Sequence, residues 1–326
     1  MQTKRDIGID LLRGFSMIIV IVLHVMANYL NQKDIFYVWD YLHFAVAAFI
    51  FCSAYIFFGK TLKKSPSTPI SFSYIGKRFQ RLYLPYLFFV FIVVILRLIF
   101  ETRVITADYL LANILVIGGI DINWLVLLFI QFIVLFSLLS YSYHRYRTIF
   151  WIYSLLAFLS SIFLFFYSVP FHWKWIMWIP WSLVALYSIA YIHYDWRRNW
   201  IIPVITFGLL TCAGFIIQYG ENNGIGLSIH KYPPDFLFIS YGLFVISILY
   251  PLFSRQFMHS PIISAPLSFF STFSYQLYFI HYLTLYIGEQ FQLSQIIPWY
   301  LYTAAIIVTT AGIQKAFILV SRFVRH

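Results

Sequence analysis

Residues 9–30 read IDLLRGFSMIIVIVLHVMANYL, and this stretch decides the fold class because it is long enough to cross a membrane. A helix needs about 20 apolar residues to span a hydrocarbon core about 30 Å thick. Lys4 and Arg5 precede the stretch, as in a signal peptide, but no small-residue cleavage pattern follows it. Arg13 also lies too far inside it for a simple signal-peptide core. We therefore interpret this stretch as a retained first membrane span.

The rest of the chain has the same apolar character. Hydrophobic residues make up 62% of its 326 residues and charged residues only 10%, whereas soluble domains carry about 25% charged residues. This composition excludes a soluble enzyme, a nucleic-acid-binding module and a disordered tail. We predict an all-α, polytopic, multi-pass protein of the cell membrane, with one transmembrane domain over residues 1–326 and no soluble domain. About ten spans are predicted, at residues 9–30, 36–59, 79–100, 123–142, 148–168, 175–194, 199–219, 235–254, 265–287 and 297–320.

The basic residues are distributed unevenly between the two sides of these spans. The chain has 22 Lys and Arg against 11 Asp and Glu. With a cytoplasmic N-terminus, 17 of the 22 basic residues lie on the cytoplasmic side and Arg97 lies near the outer end of the third span. The four on the outer side are Lys33, Arg103, Lys174 and Lys231. The positive-inside rule then predicts that both termini are cytoplasmic, so the basic surplus does not indicate a nucleic-acid partner.

Ionisable side chains inside a span are costly and are usually functional. Arg13 and His24 are 11 positions apart, which places them within about 20° of one helix face and about 16 Å apart along the axis. We expect Arg13 at the cytoplasmic boundary and His24 near mid-bilayer, both facing the protein interior. The alternatives are that Arg13 is a topology anchor and that His24 is a core histidine bonded to a neighbouring helix.

A second basic cluster, Arg78 and Arg81, lies at the start of the third predicted span. Residues at positions i and i+3 are neighbours on a helix face, and paired arginines can bind phosphate groups bidentately. The alternatives are a topology anchor or attraction to anionic lipid headgroups. Cys52 and Cys212 both lie in apolar runs, so neither a disulfide framework nor a metal-ligand spacing is predicted.

These segments together resemble the acyltransferase-3 family of membrane acyltransferases. The second-helix motif departs from the family pattern because Ala54 stands where glycine is usual. The matching segments are Ile9–Gly14 followed by His24, Phe51–Tyr55, Arg78-x-x-Arg81 with Pro85 and Tyr86, Asn123-Trp124-Leu125 and Phe273–His281.

The resemblance implies a ten-helix enzyme that moves an acyl group, commonly acetyl, from cytoplasmic acyl-CoA to a glycan or lipid-linked glycan on the other face. It also implies that Arg13, Arg78 and Arg81 hold the donor and that His24 is the catalytic histidine. Acyl-CoA, most simply acetyl-CoA, is then a co-substrate, and no permanently bound cofactor or metal is expected. A supporting or acceptor-side role is expected for Asp10, Trp124, Ser274, Tyr278 and His281.

The chemistry of these residue types agrees with that expectation. Coenzyme A is polyanionic, so we expect the three arginines to converge below His24, toward which the donor's thioester would project. Imidazole can act as a general base or accept the acyl group covalently, and both routes stay open. His281 either orients the acceptor, pairs with Tyr278 or makes a structural hydrogen bond to a neighbouring helix. Trp124 either stacks on a sugar ring or belongs to an interfacial aromatic belt.

Two other functions compete with the enzyme. A polysaccharide exporter or flippase also needs a bundle with a polar interior, but it has no need for a phosphate clamp leading to a mid-membrane histidine. An ion-coupled transporter would require carboxylates within its spans, whereas the acidic residues lie mainly at span ends and in loops.

Overall fold

The computed structural model describes residues 6–63, 72–101, 105–169, 172–220 and 226–323, and within these ranges it contains helices and no sheet. Lys4, Arg5, Lys64, Arg103 and Arg325, which enter the orientation count, lie outside the described residues. The helices are α1 Ile7–Met26, α2 Lys33–Tyr41, α3 Phe44–Thr61, α4 Phe72–Phe100, α5 Ala107–Ile114, α6 Asn123–Arg145, α7 Arg147–Phe166, α8 Trp178–His193, α9 Ile201–Gly220, α10 Phe236–Phe253, α11 Pro261–Thr272, α12 Ser274–Gln290, α13 Leu293–Ile296 and α14 Trp299–Phe323.

Nine helical segments in the described part of the chain are long and apolar enough to cross a membrane. They correspond to nine of the ten predicted spans, so the prediction of an all-α polytopic membrane protein is confirmed. The nine segments are Ile7–Tyr29, Lys33–Thr61, Phe72–Phe100, Asn123–Arg145, Arg147–Phe166, Trp173–His193, Ile201–Gly220, Phe236–Phe253 and Trp299–Phe323.

The tenth predicted span, residues 265–287, is not one helix. It is divided between α11 and α12, which meet at Phe273 with φ −105° and ψ 15°. Hydroxyl side chains surround the break, and such side chains compete with the helix for backbone hydrogen bonds. They are Ser271, Thr272 and Ser274. The apolar composition of the segment indicated a span but did not indicate this interruption.

The helices form two compact units. The first contains α1, α2, α9 and α11–α14, with the N-terminal part of α3 and most of α10. The second contains α4–α8, with the rest of α3 and the start of α10. In the second unit, α6 packs against α4, α7 and α8.

In the first unit α1 is the central helix, and it packs against α11, α12 and α14. Gly14 lies at a close approach of α1 to α11, because a Cβ atom built there would be 1.9 Å from the carbonyl oxygen of Leu267. Only glycine permits this approach of two helix backbones. The close packing places polar side chains of α1 within hydrogen-bonding distance of α11 and α12.

Candidate active site

Two histidines of the first unit are in direct contact. His24 is near the C-terminal end of α1 and His281 is near the middle of α12. The Nδ1 atom of His24 is 3.0 Å from the Nε2 atom of His281, and the ring centroids are 5.0 Å apart. His24 is therefore paired with a second imidazole, which lies 257 positions away in the sequence.

Two backbone carbonyls determine which nitrogen of each ring carries the proton. His24 Nδ1 is 2.9 Å from the Val20 carbonyl oxygen, and His281 Nδ1 is 3.0 Å from the Leu277 carbonyl oxygen. A carbonyl oxygen only accepts hydrogen bonds, so Nδ1 is the donor in both rings. In neutral His281 the Nε2 atom then accepts from Nδ1–H of His24. In neutral His24 the remaining lone pair is on Nε2, which is the basic and nucleophilic nitrogen of the pair.

The two rings differ in their access to small molecules. His281 has no exposed surface, whereas His24 is partly exposed. A reactant can therefore reach His24 but not His281. The arrangement resembles a catalytic base whose second nitrogen is held by a buried supporting group, with His281 in the supporting position.

Arg13 lies in a second polar cluster on α1, together with Asp10 and a serine of α11. Its Nε donates to Ser271 Oγ at 3.0 Å, and its Nη2 lies 3.6 Å from Asp10 Oδ1. Ser271 in turn donates to Asp10 Oδ1 at 3.4 Å. About a quarter of the Arg13 side chain stays exposed (24%), so this side chain is oriented by two partners and is still partly accessible.

Arg78 and Arg81 belong to the second unit, where both are exposed on α4. The Arg78 guanidinium lies 5.0 Å from the centroid of the Tyr74 ring and 5.7 Å from that of Phe57. Helix α4 is 29 residues long, or about 44 Å, which exceeds the hydrocarbon thickness. The expected convergence of these arginines with Arg13 below His24 stays a prediction.

Trp124 is the second residue of α6 and is packed in an aromatic cluster of the second unit. Only 7% of it is exposed, and its ring centroid is 5.2 Å from that of Tyr232 and 6.2 Å from that of Trp173. Lys231 lies over the Trp124 and Tyr232 rings at 5.7 and 4.8 Å. Burial lowers the pKa of Lys231 to about 7.

Ser274 and Tyr278, the other two expected supporting residues, both lie on α12. Ser274 is the first residue of this helix and is partly exposed. Tyr278 is buried, and its ring centroid is 5.6 Å from that of His281. Tyr278 thus packs beside the supporting histidine.

The family model of the acyltransferase domain named acyltransferase-3 matches residues 6–314 of the chain. The chain belongs to this acyltransferase-3 family. It is therefore an acyltransferase and a multi-pass membrane protein. Comparisons with curated proteins and with solved structures returned no significant match.

Family membership favours the enzyme over the exporter and the ion-coupled transporter that the sequence left as alternatives. In the described ranges of this acyltransferase, no group of three or more His, Cys, Asp or Glu side chains could hold a metal ion.

Sequence reasoning missed Ser271, the residue that bonds Arg13. It lies 258 positions away on α11, so no local periodicity connects the two side chains. A weak signal existed, since Ser271 is one of several hydroxyl residues within a predicted span, three positions before Ser274. Sequence reasoning also missed a polar pocket of the acyltransferase at the His24 end of α1.

Proposed function

We propose that this acyltransferase moves an acyl group, most simply acetyl, from acyl-CoA to a hydroxyl group of a cell-envelope or exported polysaccharide. The observation that supports the proposal is the histidine pair, in which two carbonyls direct both Nδ1 protons and leave the basic Nε2 on the accessible ring of His24. A general base of this kind contributes about 10²- to 10⁴-fold to a proton-transfer step.

In the direct route, His24 Nε2 removes the proton of the acceptor hydroxyl as its oxygen attacks the thioester carbonyl carbon. The new C–O bond gives a tetrahedral intermediate, which collapses with cleavage of the C–S bond. The coenzyme A thiolate leaves and takes the proton from the His24 imidazolium. The products are the O-acyl glycan and free coenzyme A, so atoms and charge balance.

His281 is a positioning residue in this route. When His24 becomes an imidazolium, its Nδ1–H bond to His281 Nε2 becomes a charge-assisted hydrogen bond, which is stronger than a neutral one. The pair therefore stabilises positive charge at the moment when the acceptor oxygen needs a base.

In the alternative route, His24 Nε2 attacks the thioester itself. The acyl group is then held on Nε2 and coenzyme A leaves as the thiolate. In a second step the acceptor oxygen attacks the acyl carbon, its proton passes to the thiolate, and the electron pair of the C–N bond returns to Nε2. Both routes use the same nitrogen and the same donor and acceptor.

Arg13, Arg78 and Arg81 are proposed to bind the donor's phosphate groups. Arg13 is suited to this because Asp10 and Ser271 orient its guanidinium while part of it stays exposed. Arg78 and Arg81 are both exposed and lie one turn apart on α4, a spacing at which two guanidinium groups can bind the same anion.

The proposal is tested with membranes that contain the protein, isotope-labelled acetyl-CoA and deacylated surface polysaccharide from the producing cells. We expect label to appear on the polysaccharide, with one coenzyme A thiol released per acetyl group. The Arg78→Ala, Arg81→Ala double variant should raise the KM for acetyl-CoA at least tenfold and leave the KM for polysaccharide unchanged. Thiol release without labelled polysaccharide would contradict the proposed acceptor, and an unchanged donor KM would contradict the donor site.

A further inference from the structure

A polar pocket of about 550 Å³ lies in the first unit, at the end of α1 that carries His24. This volume is within the range of small-molecule sites, about 300–1,000 Å³. The described residues that line it are Asn28, Tyr29, Asn31, Gln32, Glu289, Ser294, Gln295, Ile296, Ile297 and Pro298.

The pocket begins one helical turn beyond the catalytic histidine. Asn28 is four positions after His24, in the 3₁₀ turn that continues α1, so it lies about 6 Å further along the same side of the helix. Glu289 is on α12, eight positions after His281. The turn that continues α1 and the C-terminal end of α12 thus both contribute to the pocket, together with residues 294–298.

Glu289 organises the walls of this pocket. Its carboxylate accepts hydrogen bonds from Asn28 Nδ2 at 3.0 Å, from Ser294 Oγ at 2.7 Å and from the Tyr302 hydroxyl at 3.1 Å. The Tyr29 hydroxyl donates to the Ile297 carbonyl oxygen at 2.6 Å, which attaches the same turn to the segment before α14. The shape of the pocket is therefore fixed by direct contacts among α1, α12 and α14.

The remaining polar groups of the pocket suit a hydroxyl-rich ligand without charge. Asn31, Gln32 and Gln295 are exposed side-chain amides, and an amide can both donate to and accept from a sugar hydroxyl. Glu289 is the charged residue among the described lining residues. Its carboxylate accepts from hydroxyl donors and repels carboxylate or phosphate groups on a ligand.

We propose that this pocket binds the acceptor, and that it holds a neutral glycosyl residue whose hydroxyl is presented to His24 Nε2. The inference rests on the proposed function. It places donor and acceptor at opposite ends of α1, with the donor at Arg13 and the acceptor at Asn28, so that each approaches His24 from its own side.

The kinetic test compares the Asn31→Ala, Gln295→Ala double variant with the wild type in the labelled-acetyl assay. Both residues are exposed, so the substitutions should leave folding unaffected. We expect the KM for deacylated polysaccharide to rise at least tenfold, with the KM for acetyl-CoA unchanged. Asn199→Ala, an exposed asparagine outside the pocket, is the matched control and should behave as the wild type. An acceptor KM within twofold of the wild-type value would overturn the inference.

A second test does not depend on acyl transfer, so it separates a failure of the pocket from a failure of the proposed function. Asn31→Cys is placed in a background with Cys52→Ala and Cys212→Ala, and its reaction with a maleimide is followed. Neutral oligosaccharides released from the surface polysaccharide should slow labelling at least threefold, and uronic-acid oligosaccharides of the same size should slow it less. Equal labelling rates with and without the neutral oligosaccharides would overturn the pocket assignment, whatever the transfer assay shows.

Discussion

At the scale of single residues, the proposed chemistry depends on the proton positions in the His24–His281 pair. The Leu277 carbonyl forces the proton of His281 onto Nδ1 and thereby makes its Nε2 an acceptor for His24. When a supporting group holds a catalytic histidine in the wrong tautomer, the reaction rate can fall by several orders of magnitude. The buried histidine should therefore matter for catalysis even though no reactant touches it.

Replacing His281 tests this positioning role. His281→Leu removes the imidazole that accepts from His24 Nδ1–H and leaves the Val20 carbonyl as an acceptor. We expect kcat to fall about 10²-fold or more with the KM for acetyl-CoA unchanged. His281→Gln keeps a side-chain oxygen that can accept the bond and should retain more activity than the leucine variant. Steady-state kinetics on both variants give the answer, and a leucine variant with wild-type kcat would contradict the positioning role.

The sequence predicted part of this site and not the rest, for a physical reason. Arg13 and His24 are on one helix, and helical periodicity alone places them on one face. The partners of these two residues, Ser271 and His281, are more than 250 positions away. Such contacts depend on how α1 packs against α11 and α12, which no local pattern encodes. The pairing of Asn28 with Glu289 escaped prediction for the same reason.

At the scale of elements, α11 approaches α1 closely at Gly14. Apolar length predicted α1 correctly, but it predicted one span where α11 and α12 are two helices. The break at Phe273 has a consequence for the site, because α11 supplies Ser271 to Arg13 while α12 supplies His281 to His24.

Gly14→Ala should destabilise the protein because its Cβ would meet the Leu267 carbonyl oxygen at 1.9 Å. Overpacking of this kind costs about 1–3 kcal/mol, and we expect a lower Tm in detergent. Gly312→Ala in α14 is the matched control, since nothing lies within 4 Å of its added Cβ and alanine is the better helix former by about 1 kcal/mol. A Gly14→Ala variant as stable as Gly312→Ala would show that the helices do not approach as described.

Lys231, in the segment before α10, has an unusually low pKa. Burial over the Trp124 and Tyr232 rings lowers the pKa of Lys231 to about 7, because desolvation disfavours the ammonium form. Only the neutral amine reacts with acylating reagents, so labelling of Lys231 should rise through a midpoint near pH 7. Mass spectrometry of peptides labelled across a range of pH measures this midpoint, and a Lys231 midpoint near the ordinary lysine pKa of about 10 would contradict the lowered pKa.

At the scale of the whole molecule, the distribution of basic residues predicts the orientation in the membrane. The chain has 22 Lys and Arg residues, and they are distributed unevenly between the two sides of the predicted spans. The loops between the spans are short, and the positive-inside rule applies best to short loops. This bias predicts that the Arg13 end of α1 is on the cytoplasmic side, where the proposed acyl-CoA donor would bind, and that the Asn28 end is on the outer side, where a glycan acceptor is proposed to bind.

Single cysteines in the background without Cys52 and Cys212 test this orientation. A membrane-impermeant maleimide added to intact cells should label Asn31→Cys but not Arg198→Cys, because the two exposed positions are predicted on opposite sides. In permeabilised cells the maleimide should label both cysteines, which would show that the inner position is reactive. Labelling of Arg198→Cys in intact cells would reverse the predicted topology.

The measurement that tests the central claim most directly is the acyl content of the surface polysaccharide in cells that express the wild type or His24→Ala. His193→Ala, an exposed histidine at the end of α8, is the matched control, and membrane levels of all three proteins are compared. Mass spectrometry should show the acyl group on polysaccharide from wild-type and His193→Ala cells and its loss in His24→Ala cells. Full acylation in the His24→Ala cells would contradict the claim that His24 Nε2 carries out the transfer.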